Sequence, residues 1–320
     1  MKTSSMTAGL ITAVIAALSF GTSGALVKPL LEAGWSPSAA VTARALIAGV
    51  VLVPFAVLSL RGRASSLWRG RWRILGMGVI GVAGTQLAYF ASIQRIPVST
   101  ALLIEYLAPL ILVGVVWATT RRMPRPIVLV GSALAITGLV LVIGPGALRV
   151  VDPLGLALAF GAAIGAAVYF VIAARPSDGL PPVALAASGL LVGGIVLGTL
   201  GLTGVLPFTA TFTDLPLFGA ALPWWLPLVL VGVVGGAIAY AAGITAAGLL
   251  GSRLASFLGL LEVVFASMFA WLLLGEQLSP LQLAGGVLIL GGIAAVRADR
   301  DPAVVPAEQQ TPDPARVTAP

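Results

Sequence analysis

The sequence predicts an all-α polytopic membrane protein with ten transmembrane helices arranged as two inverted five-helix repeats. Three observations carry that expectation. Of the 320 residues, 59% are hydrophobic and only 9% are charged, against about 25% charged in a typical soluble domain. Apolar runs of about 20 residues, long enough to cross a hydrocarbon core of roughly 30 Å, recur along the chain. The two halves of the chain also match each other at fixed offsets, the mark of an internal repeat.

The runs place helices at residues 8–27, 37–60, 74–93, 98–118, 126–144, 153–173, 182–203, 225–248, 252–274 and 280–298. The first run, Thr7 to Val27, is long and lacks a small-residue cleavage pattern, so it reads as a span rather than a removable leader. Residues 1–7 form a short N-terminal segment. Residues 299–320, "DRDPAVVPAEQQTPDPARVTAP", are Pro-rich and polar and read as a disordered tail.

Charge sets the orientation. If the N-terminus is cytoplasmic, 14 of the 18 basic residues lie inside, in the loops around Arg61–Arg73, Arg121–Arg125, Arg175 and Arg253 and at the two ends of the chain. Lys28, Arg95 and Arg149 fall outside, and Arg44 lies within a span. Positive charge favours the cytoplasmic side, so both termini are expected there. The long outer connection from Gly204 ends at Trp224 and Trp225, read as interfacial anchors. The net charge of +7 therefore reflects topology and does not point to nucleic acid.

The chain has no cysteine and no histidine, which removes disulfides, thiolate metal sites and the commonest metal ligand. No Gly-x-x-x-x-Gly-Lys loop suggests a built-in ATPase. "GMGVIG", residues 76–81, fits a dinucleotide fingerprint by letters alone, but it sits in a membrane span without the strand such a motif follows. No cofactor is expected.

An offset of 144 lays the first two spans on the sixth and seventh: Gly21 on Gly165, Val27 on Val171, Pro37 on Pro181, Ala43 on Ala187, Leu46 on Leu190 and Gly49 on Gly193. An offset of 154 lays the fourth and fifth on the ninth and tenth. Ala101, Leu107, Trp117, Pro126, Leu129, Gly131, Leu134 and Gly138 then recur, eight identities over forty positions without a gap. The repeats are placed at 8–148 and 149–298. Five spans is an odd number, so the second repeat enters the membrane from the opposite side, as in many secondary transporters.

The segment "SRLASFLGLLEVVFASMFAWLLLGEQLSPLQLAGGVLILGGIAAV", with Glu262 in "LLEVV", Glu276 ending "WLLLGE" and Pro280 before a Gly-rich last span, resembles the last two spans of EamA-type proteins of the drug/metabolite transporter superfamily. "FGTSGALVKP", "TARALIAG" around Arg44 and "YFASIQRIPVSTALLIEYLAP" around Glu105 extend the resemblance to residues 8–298. The fourth span departs from the pattern by ending "WATTRRMP", without the acidic Gly-Glu. "ALLIEYLAP" is most similar to the amino-acid exporter branch. The resemblance implies ten helices, a central cavity between pseudo-symmetric halves and outward movement of small metabolites.

Three charges lie deep in apolar spans: Arg44, Glu105 and Glu262. Each costs about 2.5–3.5 kcal/mol on insertion scales, so such groups face a partner or a wet cavity. Arg44 and Glu105 each stand seven residues below the outer end of their span, roughly 10 Å deep, and equal depth invites an ion pair. Two readings follow: a structural brace, or a site in which Arg44 takes a substrate carboxylate and Glu105 its ammonium. Glu262, near the midplane without an evident partner, suits proton coupling or a hydrogen bond to a neighbouring helix, with Glu105 a second candidate for coupling. Gln86 and Tyr89 share a helix face, and with Tyr240 and Tyr169 they are candidates to line the cavity or to pack. Pro109 should kink the fourth span.

Glycine spacings such as Gly189…Gly193 and Gly232…Gly236 suit close helix contact. The functional expectation is a secondary active transporter of an amino acid or related metabolite. A channel or flippase on the same scaffold is the alternative. A lipid-modifying enzyme is less supported, since no Gly-x-Ser-x-Gly elbow is present. The expected partners are the bilayer and a small-molecule substrate, with homodimerisation left open. Arginine outnumbers lysine 16 to 2, which suits a GC-rich bacterial genome and a plasma-membrane location.

Overall fold

A computed structural model describes residues 2–96, 98–144, 152–176, 179–217, 220–274 and 279–299. Glu276 and the tail from 300 lie outside them. Among the described residues ten helices are long and apolar enough to span a bilayer. They are α1 (Ser5–Glu32), α2 (Pro37–Ser59), α3 (Arg71–Ile93), α4 (Thr100–Thr120), α5 (Pro126–Ile143), α6 (Pro153–Ala174), α7 (Pro182–Leu202), α8 (Trp225–Leu250), α9 (Ser252–Leu273) and α10 (Pro280–Ala298).

The ends follow local chemistry. Proline stands at the first turn of α2, α5, α6, α7 and α10, where its missing N–H is not needed. Ser279 and Gln282 close a capping box on α10. The first helix runs past the expected Val27 to Glu32, so Lys28 lies in its last turns rather than in a loop. It stops where Gly34 takes φ 101° and the Trp35 N–H returns to the Leu30 carbonyl at 3.0 Å, a Schellman end that only a residue tolerant of positive φ makes cheaply.

The packing repeats with inversion. α1 lies against α8 and α9, and α6 lies in the same way against α3 and α4. Two equivalent pairs pack on themselves, α2 with α7 and α5 with α10. The α5–α10 seam shows its direction through glycine. A Cβ on Gly138 would stand 2.5 Å from the Gly285 carbonyl oxygen, and one on Gly285 would stand 2.5 Å from the Gly138 oxygen. Gly131 and Gly292 meet likewise, at 2.8 and 2.6 Å. Early residues of α5 therefore meet late residues of α10, and the helices are antiparallel. The 154-residue offset pairs Gly131 with Gly285 and Gly138 with Gly292, so the contact maps onto itself under exchange of halves. Glycine is needed here because the two backbones touch.

Gly138→Val is expected to lower stability by about 3 kcal/mol, the upper end for overpacking, since backbone rather than a flexible side chain blocks the new atoms. Gly291→Val, where a Cβ meets nothing within 4 Å, is the matched control. Thermal unfolding in detergent should separate the two, and equal midpoints would remove the seam from the account.

The segment between α7 and α8 is not a free loop. It carries a short antiparallel pair, β1 (Leu215–Leu217) with β2 (Ala220–Leu222), and folds over the α1–α2 turn. The Trp35 indole N–H donates to the Thr211 carbonyl at 2.6 Å, and the Ser36 N–H donates to that of Thr209 at 2.9 Å. Trp224 stacks on Trp35 and meets Phe212 edge-on. Trp225 is exposed as an interfacial residue should be, whereas Trp224 is part of this clasp.

Candidate functional site: a charged cavity between the halves

A cavity of about 230 Å³ lies where α1, α2, α3, α4, α6, α8 and α9 converge. Its position follows from three local irregularities.

The first is in α3. Gly76–Gly84 is π-helical, and the Thr85 hydroxyl donates to the Ile80 carbonyl at 3.0 Å and to that of Gly81 at 3.3 Å. α8 repeats the feature at Val233–Ile238. Such bulges re-aim the residues that follow, and they concentrate at functional sites. Gln86 follows the first bulge and Tyr240 the second. They are equivalent under the 154 offset, and both line the cavity.

The second is in α4. One helical piece ends at Glu105 and the next begins at Ala108, with Pro109 in its first turn and so no N–H for the Glu105 carbonyl. The proline kink read from the sequence is therefore a full break. It brings Glu105, Tyr106, Ala108 and Pro109 to the same wall.

The third is the equivalent break in α9, between Gly259 and Leu261, made without proline. Glu262 opens the second piece of α9 and faces the cavity with Ser256, Gly259 and Leu260.

Among the described residues Arg44, from α2, is the only basic side chain lining the cavity, and Glu105 and Glu262 are the only acidic ones. Tyr106 and Glu262 both line it. Gln86 and Tyr89 share the wall from α3, as the helix-face reading requires. The opposite side is aromatic. Phe20 meets Tyr240 edge-on at 5.1 Å, Tyr240 meets Tyr169 at 5.7 Å, and Tyr169 meets Phe170 at 5.1 Å. The Tyr169 hydroxyl is buried without a hydrogen-bond partner.

One expectation is corrected. Arg44 and Glu105 do not form an ion pair among the described residues. The salt bridges found there are Arg95–Asp152, Arg125–Asp299 and Arg253–Asp299. Both Arg44 and Glu105 instead line the same cavity.

Those three bridges lie outside the site. On the arginine-rich side, Asp299 at the end of α10 joins Arg253 of α9 at 2.9 Å and Arg125 ahead of α5 at 3.4 Å. On the other side Arg95 meets Asp152, the N-cap of α6, at 3.2 Å. Slight burial opposes ionisation of Asp152, but the Arg95 hydrogen bond and the backbone N–H groups of Leu154 and Gly155 hold its carboxyl below the usual carboxylate range.

Tyr106, Phe20 and Phe170 are among the lining residues that the sequence did not single out. An inverted pair of five-helix units meeting around a polar pocket is the architecture of a membrane transporter built by duplication. Comparison with known proteins makes the class specific: the profile of the EamA-like transporter family matches residues 7–144 and again 153–298, and the chain belongs to that family.

The chain is 26% identical to the uncharacterized inner membrane transporter YicL of Salmonella typhimurium, over 91% of this chain and 95% of that protein. It is 29% identical to the threonine/homoserine exporter RhtA of Escherichia coli, over 68% of this chain and 66% of that one. A solved crystal structure shares the fold with a TM-score of 0.70 at 22% identity, covering 91% of this chain and 97% of its own.

Proposed function

We propose that the protein is a secondary active transporter that moves an amino acid or a close relative outward across a bacterial plasma membrane, with both termini cytoplasmic and protons as the coupling ion. One observation carries the reading: among the described residues one guanidinium and two carboxyl groups line one cavity inside a largely apolar bundle. Arginine presents a planar fork suited to a carboxylate. A zwitterion therefore places its carboxylate at Arg44 and its ammonium between Glu105 and Glu262, with Gln86, Tyr89 and Tyr240 completing the wall.

Charge balance supports the coupling. Two carboxylates against one guanidinium leave one negative charge, and a zwitterion adds none. One proton on the Glu105–Glu262 pair neutralises the loaded cavity. The other titratable groups that face it are Tyr89, Tyr106, Tyr169 and Tyr240. The size of the cavity favours a small metabolite, since drug-sized ligands need roughly 300–1,000 Å³. The resemblance to an exporter named for threonine and homoserine supports both the substrate class and the direction.

Proteoliposomes test this. Under an imposed pH gradient, labelled threonine should accumulate above its equilibrium level, and unlabelled threonine should drive counterflow. Equilibration without accumulation would point to a channel.

A further inference from the structure

We propose that the arginine–tryptophan segment between α2 and α3 is a binding site for the phosphate headgroups of anionic phospholipids. The segment reads "RGRASSLWRGRWRIL", residues 61–75, and no acidic residue occurs between Glu32 and Glu105. It is held in place. Ser66 is fully buried, and a Cβ on Gly70 would stand 2.8 Å from the Leu180 side chain. Arg73 is already used: its guanidinium donates to the carbonyls of Ile172 and Arg175 at the end of α6, at 3.0 and 2.9 Å. Arg61, Arg63 and Arg69 are exposed.

Arg71 lies 4.6 Å from the centre of the Trp68 ring and 5.5 Å from that of Trp72. Both indoles are open, at 72% and 71% exposure. Trp72 and Leu75, three apart, share a face of α3, Trp68 precedes them on the short helix Ser65–Arg69, and all three are exposed. Exposed apolar side chains of α3 thus lead, across the turn at Gly70, to two exposed indoles with guanidinium groups around them. Indoles settle at the headgroup level, and arginine pairs with phosphate oxygens. A soluble polyanion would account for the arginines but not for the exposed apolar side chains that lead to them.

The test is lipid retention by the purified full-length protein, by native mass spectrometry and thermal shift, with phosphatidylglycerol against phosphatidylcholine. The wild type should favour phosphatidylglycerol. Arg61→Gln/Arg63→Gln/Arg71→Gln should lose about fivefold in that preference per arginine removed, while Arg121→Gln/Arg122→Gln, on the α4–α5 loop, should keep it. Brominated phosphatidylglycerol should quench tryptophan emission in the wild type more than in Trp68→Phe/Trp72→Phe, a measurement that stands even if the triple variant misfolds. Three results would each overturn the proposal: no preference in the wild type, an equal loss in the Arg121/Arg122 control, or inorganic phosphate matching the lipid.

Discussion

Arg44→Gln is expected to fold and melt like the wild type while losing amino-acid affinity by roughly ten- to a hundredfold. The second half of that expectation follows from the strength of hydrogen bonds to charged groups, about 1.5–3 kcal/mol, at about 1.4 kcal/mol per factor of ten. The first half follows from the structure. Among the described residues no ion pair or hydrogen bond of the Arg44 side chain is found, so glutamine breaks no direct contact of that kind. A brace would behave otherwise, because removing one member of a buried pair leaves the other charge uncompensated at about 3–5 kcal/mol. Arg73→Gln is the internal contrast. That guanidinium satisfies carbonyls at the end of α6, so its loss should lower the melting temperature with substrate affinity intact. If Arg44→Gln melts early, the brace reading replaces the site reading.

The second large effect falls on the carboxylates. In Glu262→Gln, threonine accumulation driven by a pH gradient should fall at least about tenfold, the effect of removing about 1.4 kcal/mol or more of coupling. Substrate exchange at equal pH on both sides should persist. Glutamine keeps the shape of the side chain but cannot take up or release a proton. Glu105→Gln should uncouple in the same direction, and because it removes a partner of the substrate ammonium it should also weaken exchange. Full coupling in both variants, measured with a pH-sensitive dye inside the vesicles, would eliminate protons as the coupling ion at these residues.

The physical signals in the sequence explain which parts of this arrangement could be read in advance. Span number and the few buried charges were legible because hydropathy and the cost of an intramembrane charge act residue by residue. Duplication was legible because Gly131, Gly138, Gly285 and Gly292 sit at one offset, and inversion because each half has an odd number of spans; in the folded chain the same four glycines form the α5–α10 seam. The irregularities were not legible. A π-helical turn keeps the composition of a helix, so nothing in Gly76–Gly84 or Val233–Ile238 announced it. Pro109 marked the break in α4, whereas the equivalent break in α9 has no proline to mark it.

Tyr106 was missed for a related reason. Neighbours on an unbroken helix point about 100° apart, so Glu105 facing a cavity argues against Tyr106 facing it too. The break removes that constraint. The expected Arg44–Glu105 bridge failed because sequence gives depth along a helix but not the direction a side chain takes from it.

Matched truncation of substrate and protein tests the central claim most directly. Wild type and Arg44→Gln are compared in counterflow with threonine, its decarboxylated amine and its deaminated hydroxy acid. If the substrate carboxylate sits on Arg44, the wild type prefers threonine to the amine by roughly tenfold or more. Arg44→Gln then loses that preference yet still rejects the hydroxy acid, whose missing ammonium concerns the glutamates alone. An Arg44→Gln protein that discriminates against the amine as strongly as the wild type would contradict the account, because the carboxylate would then be held somewhere else.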